Sequence, residues 1–221
     1  MKVNLSSFIN NALNLIFPNV CGICNKLCND DLCKKCEIEF NKIAKIKIDN
    51  YSDKYFRKHL YIFKYEGIIK ERLINFKFNE KTYIYKSFIN FFIKNKKICR
   101  FLKSYDIIIP VPIHNKRKLE RGYNQSALFA RSIADNFDNL TYIDDCLIKF
   151  KNNKPQSTKN KLDREKNVIG AYKTQNKDKI FRKKVLLLDD IYTTGSTVNE
   201  CCKILKEANI KFVDVITIAK D

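Results

Sequence analysis

Apolar residues in this chain gather in short unbroken runs and in stripes of helical spacing, and the two alternate along the sequence as an α/β fold requires. Val185-Leu186-Leu187-Leu188 is a run bounded by polar residues, the pattern of a strand buried on both faces in a parallel sheet covered by helices. Val198, Cys201, Cys202, Leu205 and Ala208 then repeat at helical spacing. Upstream, residues 59–65 alternate as a strand, Gly67 makes a turn, and Ile69, Leu73, Ile74 and Phe76 place a helix over 68–78. A second, aromatic-rich helix is predicted over 81–98, its rings being core rather than base-stacking surface. Residues 106–112 read as an apolar strand stopped by Pro110 and Pro112, and an amphipathic helix follows to about Phe137. Residues 141–148 and 212–218 supply further strands, and 37–46 a short helix.

Between these elements lie two polar stretches. Residues 47–58 read as a linker and the best domain boundary, while 149–167 is long, charged and without a tight turn, as functional lids and disordered segments are. The division expected is 1–46 as an amino-terminal helix and metal module, 47–105 as linker and hood, and 106–221 as the core. At the start, Leu5, Phe8, Ile9, Ala12, Leu13 and Ile16 share one helical face, and Asn10, Asn11 and Asn14 interrupt what would otherwise resemble a signal peptide. No stretch offers the roughly 18 unbroken apolar residues of a membrane span, so a soluble, cytoplasmic protein with reduced cysteines is expected.

Charge changes the picture only partly. Lys+Arg 43 against Asp+Glu 24 gives a net charge of +19, which favours polyanionic partners such as nucleic acid or phosphorylated ligands. The lysines are spread along the whole chain amid heavy Asn and Ile usage, which a bias in genome base composition also produces. Five of the nine cysteines crowd into residues 21–36. Cys21, Cys24, Cys33 and Cys36 form two C-x-x-C pairs, the spacing of a structural zinc site in which each knuckle presents two thiolates. Cys28 is left over, as a free thiol or a substitute ligand.

The candidate chemistry sits where the central strand ends. Asp189 and Asp190 close the apolar run, and Thr193-Thr194-Gly195-Ser196-Thr197 turn the chain into the next helix. Such a turn presents backbone N–H groups and the positive end of a helix dipole to an anion. The hydroxyls add donors, Gly195 allows close approach, and the two carboxylates accept from a vicinal diol. A phosphate with a diol suggests a ribose 5-phosphate. An apolar strand ending in Asp-Asp also fits an ATPase of the P-loop class, but the only glycines are Gly22, Gly67, Gly122, Gly170 and Gly195, so no phosphate loop or dinucleotide fingerprint exists.

The acidic pair followed by T-T-G-S-T resembles the phosphoribosyl pyrophosphate (PRPP) motif of the type I phosphoribosyltransferases. With Phe17-Pro18 before the paired C-x-x-C, Tyr65-x-Gly67 before a helix carrying Lys77, P-V-P, R-G-Y-N-Q, Pro155-Gln156, Arg164, Asn167 and Gly170-Ala171-Tyr172, the likeness narrows to the ComF/GntX-like group of phosphoribosyltransferase-fold competence proteins. Lys149, Lys151 and Asn153 depart from the arginines and threonine common there. The resemblance implies a type I phosphoribosyltransferase fold, a parallel sheet flanked by helices, with a small amino-terminal zinc module of four cysteine ligands. It implies PRPP with Mg2+ as ligands, a link to natural competence, and single-stranded DNA and competence helicase-type proteins as partners. Asp189, Asp190 and Arg164 would be catalytic. PRPP would lie against Asp189, Asp190, Thr193, Thr194, Gly195, Ser196, Thr197, Val111, Arg117, Arg121 and Gln156, with Lys161 also on the flexible loop. Displacing pyrophosphate needs no protein nucleophile, only positioning and charge neutralisation. A transferase, a PRPP or nucleotide sensor without turnover, and a basic single-strand binder all remain open. His114, in the basic loop, reads as a surface residue rather than a base.

Overall fold

The computed structural model describes residues 19–78, 81–152 and 168–221. Helix α1 (Lys34–Ile43) leads into strands β1 (Lys47–Asn50) and β2 (Lys58–Lys64), then helices α2 (Gly67–Phe78), α3 (Ile84–Lys94) and α4 (Lys96–Leu102). Strand β3 (Ile107–Pro110), helices α5 (Asn115–Arg121) and α6 (Gln125–Ala134), and strand β4 (Thr141–Tyr142) follow. Strands β5 (Leu147–Lys149) and β6 (Tyr172–Thr174) precede β7 (Lys184–Tyr192), α7 (Ser196–Lys206) and β8 (Phe212–Lys220). The main sheet runs β1-β2-β8-β7-β3-β4 and is parallel except for the antiparallel edge pair β1–β2. Asp189 stays paired with Thr217 and Tyr192 with Lys220, so β7 runs four residues past its apolar run.

Alternation along β7 explains that run. Leu186 and Leu188 point to the face packed by Phe40, Phe76, Phe88 and Phe129, whereas Val185 and Leu187 meet Val198, Cys201 and Leu205 of α7 on the other. Burial on both sides leaves no position for a polar residue until the strand emerges at Asp189. The aromatic stripe of α3 is core as expected: Phe88, Phe91 and Phe92 are all buried.

Three elements differ from the sequence pattern. Residues 47–50, expected as linker, form β1, an edge strand whose half-exposed burial matches its polar composition. Nearby, Arg57 anchors the chain to the buried Asp214, with Nη2 to Oδ2 at 2.7 Å and the Arg57 and Lys58 N–H groups donating to Oδ1. The helix expected over 81–98 breaks at Asn95, whose side chain accepts from the N–H groups of Lys97 and Ile98 and starts α4. The strand expected over 141–148 divides: β4 extends the main sheet beside β3, and β5 pairs antiparallel with β6 in a separate ribbon.

One buried group gives the fold a pH dependence. His59 on β2 is fully buried, its Nε2 2.8 Å from Thr217 Oγ1 and its ring stacked 4.4 Å from that of Tyr192. Burial, and then the charge of Lys220, lower its pKa from 6.5 to about 3. Below pH 6.5 the unfolded chain therefore takes up a proton that the folded chain refuses, and stability is lost as pH falls from 6.5 toward 3. The loss should be on the order of 4 kcal/mol. His59→Gln should flatten this limb of the denaturant-midpoint curve; equal slopes in the two proteins would remove His59 as its origin.

Candidate functional site

Strands β3 and β7 end side by side, and their carboxyl ends floor a cavity of about 430 Å³. Asp189, Asp190, Thr193, Thr197, Val111, Arg117 and Arg121 all line it. The rest of the hydroxyl-rich turn faces a neighbouring hollow of about 330 Å³, where Thr194, Gly195 and Ser196 meet Asn199, Glu200 and Lys203. The turn thus separates two recesses. Gly195 has a φ of +76°, and a Cβ there would lie 2.1 Å from the Tyr192 hydroxyl. Only glycine allows the chain to pass this ring and enter α7, whose first amides have no intrahelical acceptor. Thr194 Oγ1 and Ser196 Oγ sit 2.8 Å apart and stiffen the turn.

The two acids have different surroundings. Asp190 is 6% exposed and pairs with Lys77 of α2 at 2.8 Å. Burial works against the Lys77 charge, but Asp190 outweighs it and raises that pKa above its ordinary value. Asp189 accepts from Ser126 Oγ at 3.1 Å and from the Asp190 N–H at 2.9 Å. Burial, and next the charge of Asp190, push the Asp189 carboxyl up to about 7. A ligand that brings hydroxyl donors or a cation to this acid relieves a charge held at a cost.

Part of the cavity wall is basic. Arg117, Arg121 and Lys149 all line the cavity. Burial, then the charge of Arg117, lower the pKa of both Arg121 and Lys149. Asn124 keeps the loop after β3 in place, its Nδ2 donating to the Val111 carbonyl at 3.0 Å while the Val111 N–H bonds Leu188. The wall therefore holds cations around a rigid loop, an arrangement suited to a polyanion.

Of the residues expected at the site, Asp189, Asp190, Thr193, Thr197, Val111, Arg117 and Arg121 share the cavity, and Thr194, Gly195 and Ser196 lie on the far side of the turn. Gln156, Lys161 and Arg164 fall outside the described residues, as does the helix expected over the first seventeen. His114 is a helix cap, its Nδ1 accepting from the Lys116 N–H at 3.2 Å. Lys77, Gln125, Ser126 and Lys149 also line the cavity but had no site role in the sequence pattern. For Gln125, and for Ser126 directly after it, the R-G-Y-N-Q string was the available signal; Lys77 was marked only as the lysine of the helix after Tyr65-x-Gly67, and its pairing with Asp190 is visible only in space.

A second cluster lies near the amino terminus. The Sγ atoms of Cys21, Cys24, Cys33 and Cys36 fall within 4.8 Å of one another, and those of Cys24 and Cys33 are 3.7 Å apart. Four thiolates at about 2.3 Å from a tetrahedral zinc stand roughly 3.8 Å from each other, so the cluster could hold that ion. Cys28 is not in it; its thiol donates to the Asp30 carbonyl at 2.7 Å. The first knuckle is fastened to α3, where the Gly22 N–H donates to Ser87 Oγ at 2.9 Å and Ser87 donates to the Asp31 carbonyl. A Cβ on Gly22 would come within 2.9 Å of the Ile84 backbone, so that seam needs glycine.

Residues 124–221 match the family of phosphoribosyl transferase domains. Competence protein F of Haemophilus influenzae is 30% identical over 129 residues, 58% of this chain, and the chain spans only 56% of that relative's length. Competence protein ComFC of Bacillus subtilis is 27% identical over 200 residues, 88% of this chain and 75% of the relative. Among solved structures, the adenine phosphoribosyltransferase of Thermoanaerobacter pseudethanolicus is 13% identical with a TM-score of 0.39, covering 83% of this chain and 99% of that one. No helix among the described residues is long and apolar enough to cross a membrane. With its parallel α/β sheet and cysteine cluster, the chain carries a phosphoribosyl transferase domain over residues 124–221 and is similar to the ComF and ComFC competence proteins.

Proposed function

We propose that this competence-associated protein binds PRPP at the carboxyl end of β7 and transfers its phosphoribosyl group. One observation carries the reading: a single cavity brings an acidic pair, Asp189 and Asp190, together with three cations, Arg117, Arg121 and Lys149. A ribose diol fits the acids and a pyrophosphate the cations, while the backbone amides of residues 193–197 and the hydroxyls of Thr193 and Thr197 take the 5-phosphate. As the bond from the anomeric carbon to pyrophosphate lengthens, the carbon gains positive charge and the leaving group negative charge. The acids stand beside the first and the arginines beside the second, both fixed before reaction. Asp189 would also approach a magnesium ion, which when bound to PRPP supplies the largest local positive charge. In this scheme 106–221 carries the chemistry, 47–105 walls the site through Lys77, and the module within 1–46 holds a structural zinc.

PRPP with Mg2+ at about 100 times Kd should stabilise the fold by about 2.7 kcal/mol, roughly 5–10 °C in Tm for a chain of this size. Pyrophosphate release in a screen of nucleobases and oligonucleotides then tests turnover. No shift at millimolar PRPP would end the proposal.

A further inference from the structure

Another cavity, of about 500 Å³, adjoins the one at the end of β7. Residues of the loop after β3, of α5 and of the β5–β6 ribbon line it, and Pro112, Ile113, Asn124 and Lys149 line both cavities. Its lining joins apolar surface to positive charge. Ile113, Leu147 and Phe150 supply the first, and Phe150 is 47% exposed. Lys118, Lys149 and Lys173 supply the second. Neither Lys118 nor Lys173 has a carboxylate partner among the described residues, and the acid on this lining, Asp144, accepts from the Tyr142 hydroxyl at 2.8 Å.

A bare phosphate would offset the lysines but leave most of the volume and the apolar lining unfilled. A nucleoside monophosphate brings both parts, an anion for the ammonium groups and a flat base for the open surface of Phe150.

We infer that this second cavity is an effector site for a nucleoside monophosphate, and that its occupant weakens PRPP binding in the first cavity through Lys149. The coupling rests on the PRPP reading; the site itself does not. Of the four shared residues, Pro112 and Ile113 carry no charge, and Asn124 is held by its bond to the Val111 carbonyl. Lys149 alone can answer an anion, its ammonium being a point charge on a flexible stem. A lysine drawn to a phosphate in one cavity no longer serves the other. Linkage makes the effect reciprocal, so PRPP must weaken the nucleotide by the same factor.

The test titrates AMP, GMP, CMP and UMP calorimetrically into the full chain, then PRPP with Mg2+ at rising concentrations of the tightest of the four. The Kd for PRPP should rise at least about fivefold and then level off. Lys118→Ala with Lys173→Ala should weaken the nucleotide at least about tenfold and leave the affinity for PRPP alone unchanged. In Lys149→Met, whatever its own affinity for PRPP, the nucleotide should no longer alter that affinity. A Kd that climbs without a plateau would overturn the inference, because the nucleotide would then occupy the PRPP cavity itself. So would nucleotide binding undiminished in the double variant, binding of no mononucleotide, or a single-stranded oligonucleotide bound far more tightly through Lys118 and Lys173 than any mononucleotide. Failure of PRPP alone to bind removes the parent reading and the coupling with it, and is read separately from the nucleotide titrations.

Discussion

Asp190→Asn should abolish the rise in melting temperature that PRPP and Mg2+ give, and should lower the melting temperature of the ligand-free protein as well. The second effect follows from the partner it leaves behind. Lys77 is held at 2.8 Å from Asp190 with only about a quarter of its side chain exposed, and an amide in place of the carboxylate leaves the ammonium charge unbalanced. Breaking a buried pair on one side costs about 3 kcal/mol, which for a chain of this length is roughly 6–12 °C. Loss of fold and loss of ligand must therefore be separated. Replacing both partners, Lys77→Met with Asp190→Asn, removes the stranded charge and should recover most of the stability without recovering the response to PRPP. A double variant that regained the PRPP shift would show that Asp190 does not touch the ligand.

Removing metal should have the other large effect. The chain should carry about one zinc, and a chelator that extracts it should destabilise the amino-terminal region strongly, because a module this small draws its folding energy from the metal. The damage should reach further than the module. Cys21, Ile23, Leu32 and Cys36 share a continuous core with Phe40, Phe88 and the Leu186 face of the sheet, and Ser87 ties the knuckle to α3. Melting should therefore shift as one transition. Cys33→Ser should bind little zinc, while Cys28→Ser should keep the full complement, since Cys28 bonds the Asp30 carbonyl instead. Equal stability with and without metal would contradict a structural role, and zinc loss in Cys28→Ser would contradict the ligand set.

The parts of the molecule that could be read from sequence are those with strong local signals. Strand β7 shows because both its faces are buried, and the 193–197 turn because glycine and hydroxyl residues cluster where a strand becomes a helix. The cysteine cluster shows through its spacing alone. Strand β1 was hidden because an exposed edge strand keeps a polar composition, and the Asn95 break because apolar periodicity runs on through both helices. The pairing of Lys77 with Asp190 joins residues far apart in the chain, and nothing local marks it. The direction in which each turn residue faces was equally hidden: Thr193 and Thr197 reach the cavity, whereas Thr194 and Ser196 lie on the other side. The net charge identified no partner, because lysine is distributed along the whole chain.

If the turn after β7 cradles a sugar phosphate while the adjoining acids hold the sugar, the amides of that turn must respond to the ligand. Backbone amide resonances of Thr193 to Thr197 during a titration with ribose 5-phosphate test it most directly. Large, saturable shifts are expected at these amides and at Asp189 and Asp190, with those of the cysteine module unmoved. Saturation of ligand binding elsewhere, with the 193–197 amides unchanged, would contradict it.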